Sequence, residues 1–241
     1  MHSPPLSPPR ASHRPSLLLG AGVVCALLSA ALTALVVVRW PPLMSLDGTV
    51  ARTLHRSAVT QPGLVHLNRV LTDWVWDPWT MRALTAVVVI ALWWRGARPL
   101  AVGVAATSVL ATVLQQALKS AVGRERPRWP DPVDSAHYAA FPSGHAMTAI
   151  VTCGLLLWLL RLYGVSPLLW RTAVVVAAVS VLGVAFTRLY LGVHWLSDVV
   201  GGLLLGGAVT ALWAAAYGAR RTAGGEDGEE DGVVEPPARR R

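Results

Sequence analysis

The residues best suited to chemistry lie in the stretch 187–198, TRLYLGVHWLSD, where Arg188 is followed after five residues by His194 and after three more by Asp198. On a helix, residues four apart share a face, so Asp198 can hold one imidazole nitrogen of His194 and leave the other free to attack. Arg188 adds a permanent cation whose fork of donors suits phosphate. Two other stretches carry groups of the same kind. KSAVGRERPRW places Lys119 just past an apolar run and Arg126-Pro127 after six intervening residues. Taken alone, Lys119 reads as a snorkelling anchor, and Arg124, Arg126 and Arg128 as a solvated basic loop. Pro142-Ser143-Gly144-His145 opens a further apolar run. A helix N-terminus there offers free backbone N–H groups and a positive dipole end. Gly144 lets an anion approach closely, Ser143 adds a hydroxyl, and His145 stands within reach of whatever is bound. The alternative for this stretch is a cap followed by an interfacial histidine.

These groups need elements that bring them together. Of the 241 residues, 54% are hydrophobic and only 14% are charged, a composition that argues for a membrane protein over one or two soluble domains. We expect an all-α fold: an integral membrane bundle of six transmembrane helices, with crossings at 16–38, 79–94, 99–118, 143–160, 169–186 and 195–217. The first run is long for a signal segment and reads as an uncleaved helix. Residues 1–15 and 218–241 read as disordered polar tails around a membrane domain at 16–217. Between the first two crossings, Leu46, Val50 and Leu54 recur at helical spacing, and Leu64–Trp76 ends in the cluster Trp74, Trp76 and Trp79. Both pieces read as interfacial helices of the first outer loop, with an aromatic belt at their end. Cys25 and Cys153 fall inside apolar runs and read as small buried side chains.

Counting crossings decides what can meet. The end of crossing three, the start of four, the end of five and the start of six all lie on one side. Lys119, Arg126, Ser143, Gly144, His145, Arg188, His194 and Asp198 can therefore share one pocket. Three fixed cations and a helix N-terminus make an anion site, and charged groups at such depth are costly unless paired or functional. The basic residues Arg10, Arg14, Arg95, Arg98, Arg161, Arg171, Arg220 and Arg221 mark the other side as cytoplasmic, although the outer loops also carry arginines. In this arrangement both termini are cytoplasmic and the pocket is extracytoplasmic, in a multi-pass protein of the cell membrane. The formal charge of +8 is then a matter of topology; no basic face with interleaved aromatics points to nucleic acid. No Asp/Glu/His cluster offers a metal site, and no cofactor is expected.

Lys119-x6-Arg126-Pro127, Pro142-Ser143-Gly144-His145 and Arg188-x5-His194-x3-Asp198 together resemble the three-part signature of the type 2 phosphatidic acid phosphatase superfamily. That superfamily includes lipid phosphatases, bacterial acid phosphatases and vanadium haloperoxidases. The resemblance covers about residues 79–217; Thr187, where many members have serine, is one departure. It implies that His194 attacks phosphorus to give a phosphohistidine, that Asp198 orients it, and that His145 protonates the leaving group and then activates water. It assigns Lys119, Arg126, Arg188, Ser143 and the Gly144 N–H to the phosphoryl oxygens. The implied substrate is a membrane lipid phosphate or diphosphate: an isoprenyl diphosphate, phosphatidic acid or phosphatidylglycerol phosphate. A lipid phosphotransferase, a vanadate-dependent haloperoxidase, and a transporter or scaffold retaining the anion site are the other readings the sequence allows. The loop 128–141 is expected to shape the entrance, with Glu125 solvated or paired to a neighbouring arginine.

Overall fold

The computed structural model describes residues 15–230. Its elements are α1 (Pro15–Val37), α2 (Pro41–Ala58), α3 (Pro62–Val70), a π-helical turn (Leu71–Val75), α4 (Pro78–Trp94), α5 (Arg98–Val122), α6 (Gly144–Leu162), α7 (Pro167–Tyr190) and α8 (Leu196–Glu230). No strand occurs among the described residues. Six helical segments are long and apolar enough to cross a membrane: 16–37, 62–94, 98–122, 144–162, 167–190 and 196–221. The bundle is thus the six-crossing, all-helical one expected from the apolar runs. Its outer surface carries Leu27, Val87, Val109, Val175 and Leu182, each more than half exposed, as helices facing hydrocarbon require.

Local chemistry sets the helix ends. Asp77 caps α4, accepting from the backbone N–H of Trp79 at 2.7 Å and of Thr80 at 3.3 Å, with Pro78 in the first turn. Ser166 caps α7 in the same way through Leu169 N–H. α8 packs mainly against α1 and α6, and α6 is the most buried of the six spans. The packed interior joins α4, α5, α6 and α8 through Leu92, Val104, Met147, Leu155 and Ala214. Trp158, Trp213 and Tyr217 add an aromatic cluster, with Trp158 edge-on to the other two rings at 4.7 and 5.1 Å. Cys25 and Cys153 are both free.

The structure adds detail to three expectations. α2 lies between the first two crossings, with Val50 and Leu54 of its apolar stripe half-buried and Leu54 packed beside Ala58, Val65 and Tyr190. Leu46 is half exposed, whereas Asp47, Gly48, Ala51, His55 and Ala58 are buried. The face turned toward the protein thus mixes small residues with the polar Asp47 and His55. Of the three tryptophans, Trp74 and Trp79 are exposed as a belt requires, but Trp76 packs on Gly183 of α7. The C-terminal tail expected from residue 218 begins as helix, since α8 continues to Glu230. Residues 231–241, and the N-terminal tail over 1–14, lie outside the described residues.

Candidate active site

Four helix ends converge on one face of the bundle: the last turns of α5 and α7 and the first turns of α6 and α8. Lys119 stands in the last turn of α5, Arg188 in that of α7, and Asp198 in the first turn of α8. The α6 and α8 starts are tied directly, because Ser143 N–H donates to the Asp198 main-chain oxygen at 2.9 Å.

Between α7 and α8 the chain turns through Gly192, whose φ of +67° lies in the left-handed region that glycine adopts without strain. This turn presents His194, which is buried at 2% exposure. Its Nδ1 lies 3.3 Å from Asp198 Oδ2, the pairing expected from their spacing. The same carboxylate oxygen accepts from Trp195 N–H at 2.8 Å, which fixes its position. His194 Nε2 points the other way, 3.1 Å from Arg126 Nη1. Arg126 is itself held by main-chain oxygens, donating Nη1–H to Val193 at 2.6 Å and Nε–H to Tyr138 at 3.0 Å. Burial, followed by the charges of Arg126, Arg188 and Lys119, pushes the His194 imidazole well below its ordinary range, so it is neutral at pH 7. Burial also lowers the Arg126 guanidinium, with Asp198 opposing.

Each remaining expected residue has a definite place. Arg188 is buried and donates to Thr72 Oγ1 at 3.2 Å, while its Nε is buried without a hydrogen-bond partner. Lys119 Nζ donates to the Ala139 oxygen. Half-buried His145 stands in the first turn of α6, within electrostatic reach of Arg188, His194, Arg126 and Lys119. Ser143 is fully buried, and its hydroxyl accepts from Ala146 N–H at 3.5 Å. It therefore acts as the α6 cap, with only its O–H proton left to donate. Beside Gly144 sits the Gln115 amide of α5; a Cβ on Gly144 would come within 3.0 Å of it. The glutamine pair Gln115-Gln116 inside an apolar helix was the only signal for this contact.

The sequence reading missed a second layer. Arg124, expected in a solvated basic loop, is largely buried and bridges two carboxylates. Its Nη1–H donates to Asp198 Oδ1 and its Nη2–H to Asp47 Oδ2, both at 2.6 Å. Glu125 does pair with Arg128, at 3.4 Å and in full solvent. The loop 128–141 borders a cavity of about 680 Å³ whose wall includes Arg126, Arg128, Trp129, Asp134 and Val193. His194 is not on that wall; it lies behind Arg126. Trp129 closes one side by donating to the Gly192 oxygen at 2.9 Å and stacking on His55 at 4.0 Å.

The family model described as PAP2 superfamily matches residues 99–222, about half of the chain. An undecaprenyl-diphosphatase of Sulfolobus acidocaldarius is 30% identical over 159 residues, covering 62% of this chain and 66% of that protein. Phosphatidylglycerophosphatase B of Bacillus subtilis is 33% identical over 97 residues, covering 39% of this chain and 46% of its own length. The chain thus spans just under two thirds of the first relative and about half of the second. The crystal structure of a transmembrane PAP2 type phosphatidylglycerolphosphate phosphatase from Bacillus subtilis superposes with a TM-score of 0.62 at 20% identity. That match covers 90% of this chain and 98% of the other.

Proposed function

The chain belongs to the PAP2 superfamily, and we propose that it is a metal-independent membrane phosphatase acting on a lipid phosphate or diphosphate. The observation that carries this reading is the His194 pair of contacts: Nδ1 held by a buried carboxylate, Nε2 aimed at a guanidinium. That is a neutral, oriented nucleophile facing a cation suited to a phosphoryl oxygen. At 3.1 Å no phosphoryl group fits between Arg126 and Nε2. Binding therefore draws the guanidinium off the ring and onto the incoming oxygens. The unpartnered Arg188 Nε, Lys119 and the start of α6 supply the remaining positive field.

The reaction then runs in two displacements. The Nε2 lone pair forms a bond to phosphorus as the bond to the leaving oxygen breaks, and His145, which takes up a proton as the anionic substrate offsets the surrounding cations, gives that proton to the leaving oxygen. Asp198 accepts the Nδ1–H hydrogen bond and stabilises the positive charge on the ring. In the second step His145 takes a proton from water, whose oxygen attacks phosphorus and breaks the P–N bond. Phosphate leaves and His194 returns neutral. Positioning and charge neutralisation supply most of the rate in such a transfer. The names of the two relatives support an isoprenyl diphosphate or phosphatidylglycerol phosphate as substrate. The pocket faces the extracytoplasmic side in this reading, with both termini in the cytoplasm.

The test is phosphate release by purified protein in detergent with chelator present. Undecaprenyl diphosphate, phosphatidic acid and phosphatidylglycerol phosphate are offered separately to the native and His194→Ala proteins. Release from at least one lipid, abolished by the substitution, is the expected result. Full activity of the His194→Ala protein overturns the mechanism.

A further inference from the structure

Arg124 is the best-anchored cation near the site, yet it touches no group proposed to hold phosphate. Its guanidinium is 11% exposed, between Asp198 at 0% and Asp47 at 1%. Nη1 also lies 2.6 Å from Ser197 Oγ. Asp47 in turn accepts the Ser197 backbone N–H at 2.8 Å, and Ser197 Oγ–H bonds its other oxygen. A closed ring of hydrogen bonds thus joins α2, the loop after α5 and the first turn of α8.

Both oxygens of Asp198 are consequently committed. Oδ1 takes Arg124, and Oδ2 takes Trp195 N–H and His194 Nδ1. A buried carboxylate held on one oxygen alone could rotate, and rotation would swing Oδ2 away from the imidazole. Asp47 does for Arg124 what Arg124 does for Asp198: it offsets the charge and fixes the plane of the guanidinium. A buried ion triad is weak evidence for stability, since apolar substitutes often serve as well. Its placement directly behind the nucleophile's partner argues instead for orientation.

We propose that Arg124 and Asp47 are positioning residues: the chain Asp47–Arg124–Asp198 sets the rotamer of Asp198 and through it the aim of His194. This inference rests on the phosphatase reading above. It makes α2, an element outside the three sequence motifs, part of the catalytic apparatus, although no atom of α2 carries the reaction.

The experiment compares native protein with Arg124→Ala, Arg124→Lys, Asp47→Asn, Asp198→Ala and the Arg124→Ala/Asp198→Ala double variant, on the lipid the native protein turns over best. Monodispersity in detergent and the inhibition constant of inorganic phosphate report on folding and on the anion site. Arg124→Ala and Asp47→Asn are expected to lower kcat roughly 10- to 100-fold, the scale for residues that orient a functional histidine, with KM and phosphate inhibition unchanged. Added guanidinium ion should restore part of the Arg124→Ala rate and none of the Asp198→Ala rate. Arg124→Lys keeps charge without the fork and should remain impaired. In the Asp198→Ala background, removing Arg124 should cost nothing more. A full further loss there, or a phosphate constant weakened by Arg124→Ala, means that Arg124 acts on substrate and overturns the proposal. Native kcat in both Arg124→Ala and Asp47→Asn overturns it too. His194→Ala, run alongside, separates the two claims. If it is inactive while the Arg124 and Asp47 variants match native protein, only the positioning role fails. If it is fully active, the phosphatase mechanism itself fails.

Discussion

At the scale of single residues, His194 has a charge state set by its surroundings. Burial and the charges of Arg126, Arg188 and Lys119 hold its imidazole well below the ordinary value of 6.5. Between the folded value and 6.5, the unfolded chain carries a proton on this ring that the folded chain lacks. Stability therefore rises with pH through that window and falls as the solution is acidified below about 6.5. Thermal midpoints of detergent-solubilised protein from pH 7.5 to 5 should show this loss, and His194→Asn should show a flatter dependence. An identical slope in the variant would remove His194 from the account. The same electrostatics predicts the effect of Arg126→Gln. Deleting the strongest neighbouring charge lets the ring value climb toward 6.5, readable in the titration of the histidine ring resonances. The His194–Asp198 pair was legible in the sequence because the two are close along the chain, although His194 reaches Asp198 from the turn before α8 and not across a helix face. The Arg124–Asp47 contact was not: the partners are 77 positions apart, and an arginine among arginines in a loop carries no mark of burial.

At the scale of elements, helix order fixed most of the site and close packing fixed the rest. Alternating crossings bring the ends of α5, α6, α7 and α8 to one side, so the meeting of the three motifs could be read from the apolar runs alone. How tightly α6 and α8 meet could not, because it depends on backbone approach. At Gly202 a Cβ would come within 2.6 Å of the Ser143 main-chain oxygen and 3.2 Å of Met147 N, neither of which can swing aside. Gly202→Ala must therefore push α8 off the start of α6 and strain the Ser143–Asp198 hydrogen bond. We expect a loss of about 1–3 kcal/mol in stability, as for other overpacked contacts, and a fall in phosphate release larger than the lost folded fraction explains. Gly207→Ala is the control, since its Cβ would meet only Cys25 Sγ at 3.9 Å, an ordinary contact. Equal behaviour of the two variants in thermal midpoint and activity would show that this approach does not position Asp198. The polar residues that α2 turns inward were hidden for a related reason. Apolar periodicity marks a packed face when the surroundings are water. Beside lipid it marks an outer face as readily: Leu46 is half exposed while Leu54 packs inward, so the spacing gave no pointer to the buried Asp47 and His55.

For the whole molecule the open question is which way the bundle faces, because that decides whether the pocket meets lipid headgroups outside or inside the cell. Arginines occur on both sides, so the argument rests on where they sit. The short connections 95–98 and 161–171 and the start of the C-terminal segment at Arg220-Arg221 lie opposite the pocket, and short loops carry the topological signal most strongly. On the pocket side, several arginines have structural partners. Arg124 and Arg126 are consumed within the site, and Arg69 bonds the Val133 oxygen. Basic residues held in a folded loop have a reason to be there apart from topology, which weakens their weight as counter-evidence. The orientation is open to a direct check in intact cells. In a Cys25→Ala/Cys153→Ala background, Ser135→Cys places a thiol on the exposed pocket-side loop, and Tyr163→Cys places one on the exposed connection opposite. An impermeant maleimide should label the Ser135→Cys protein at once and the Tyr163→Cys protein only after permeabilisation. The reverse pattern would place the pocket in the cytoplasm. The proposed substrates would then have to present their phosphates to the inner leaflet, even though the helix ends and His194 stand where the crossings put them.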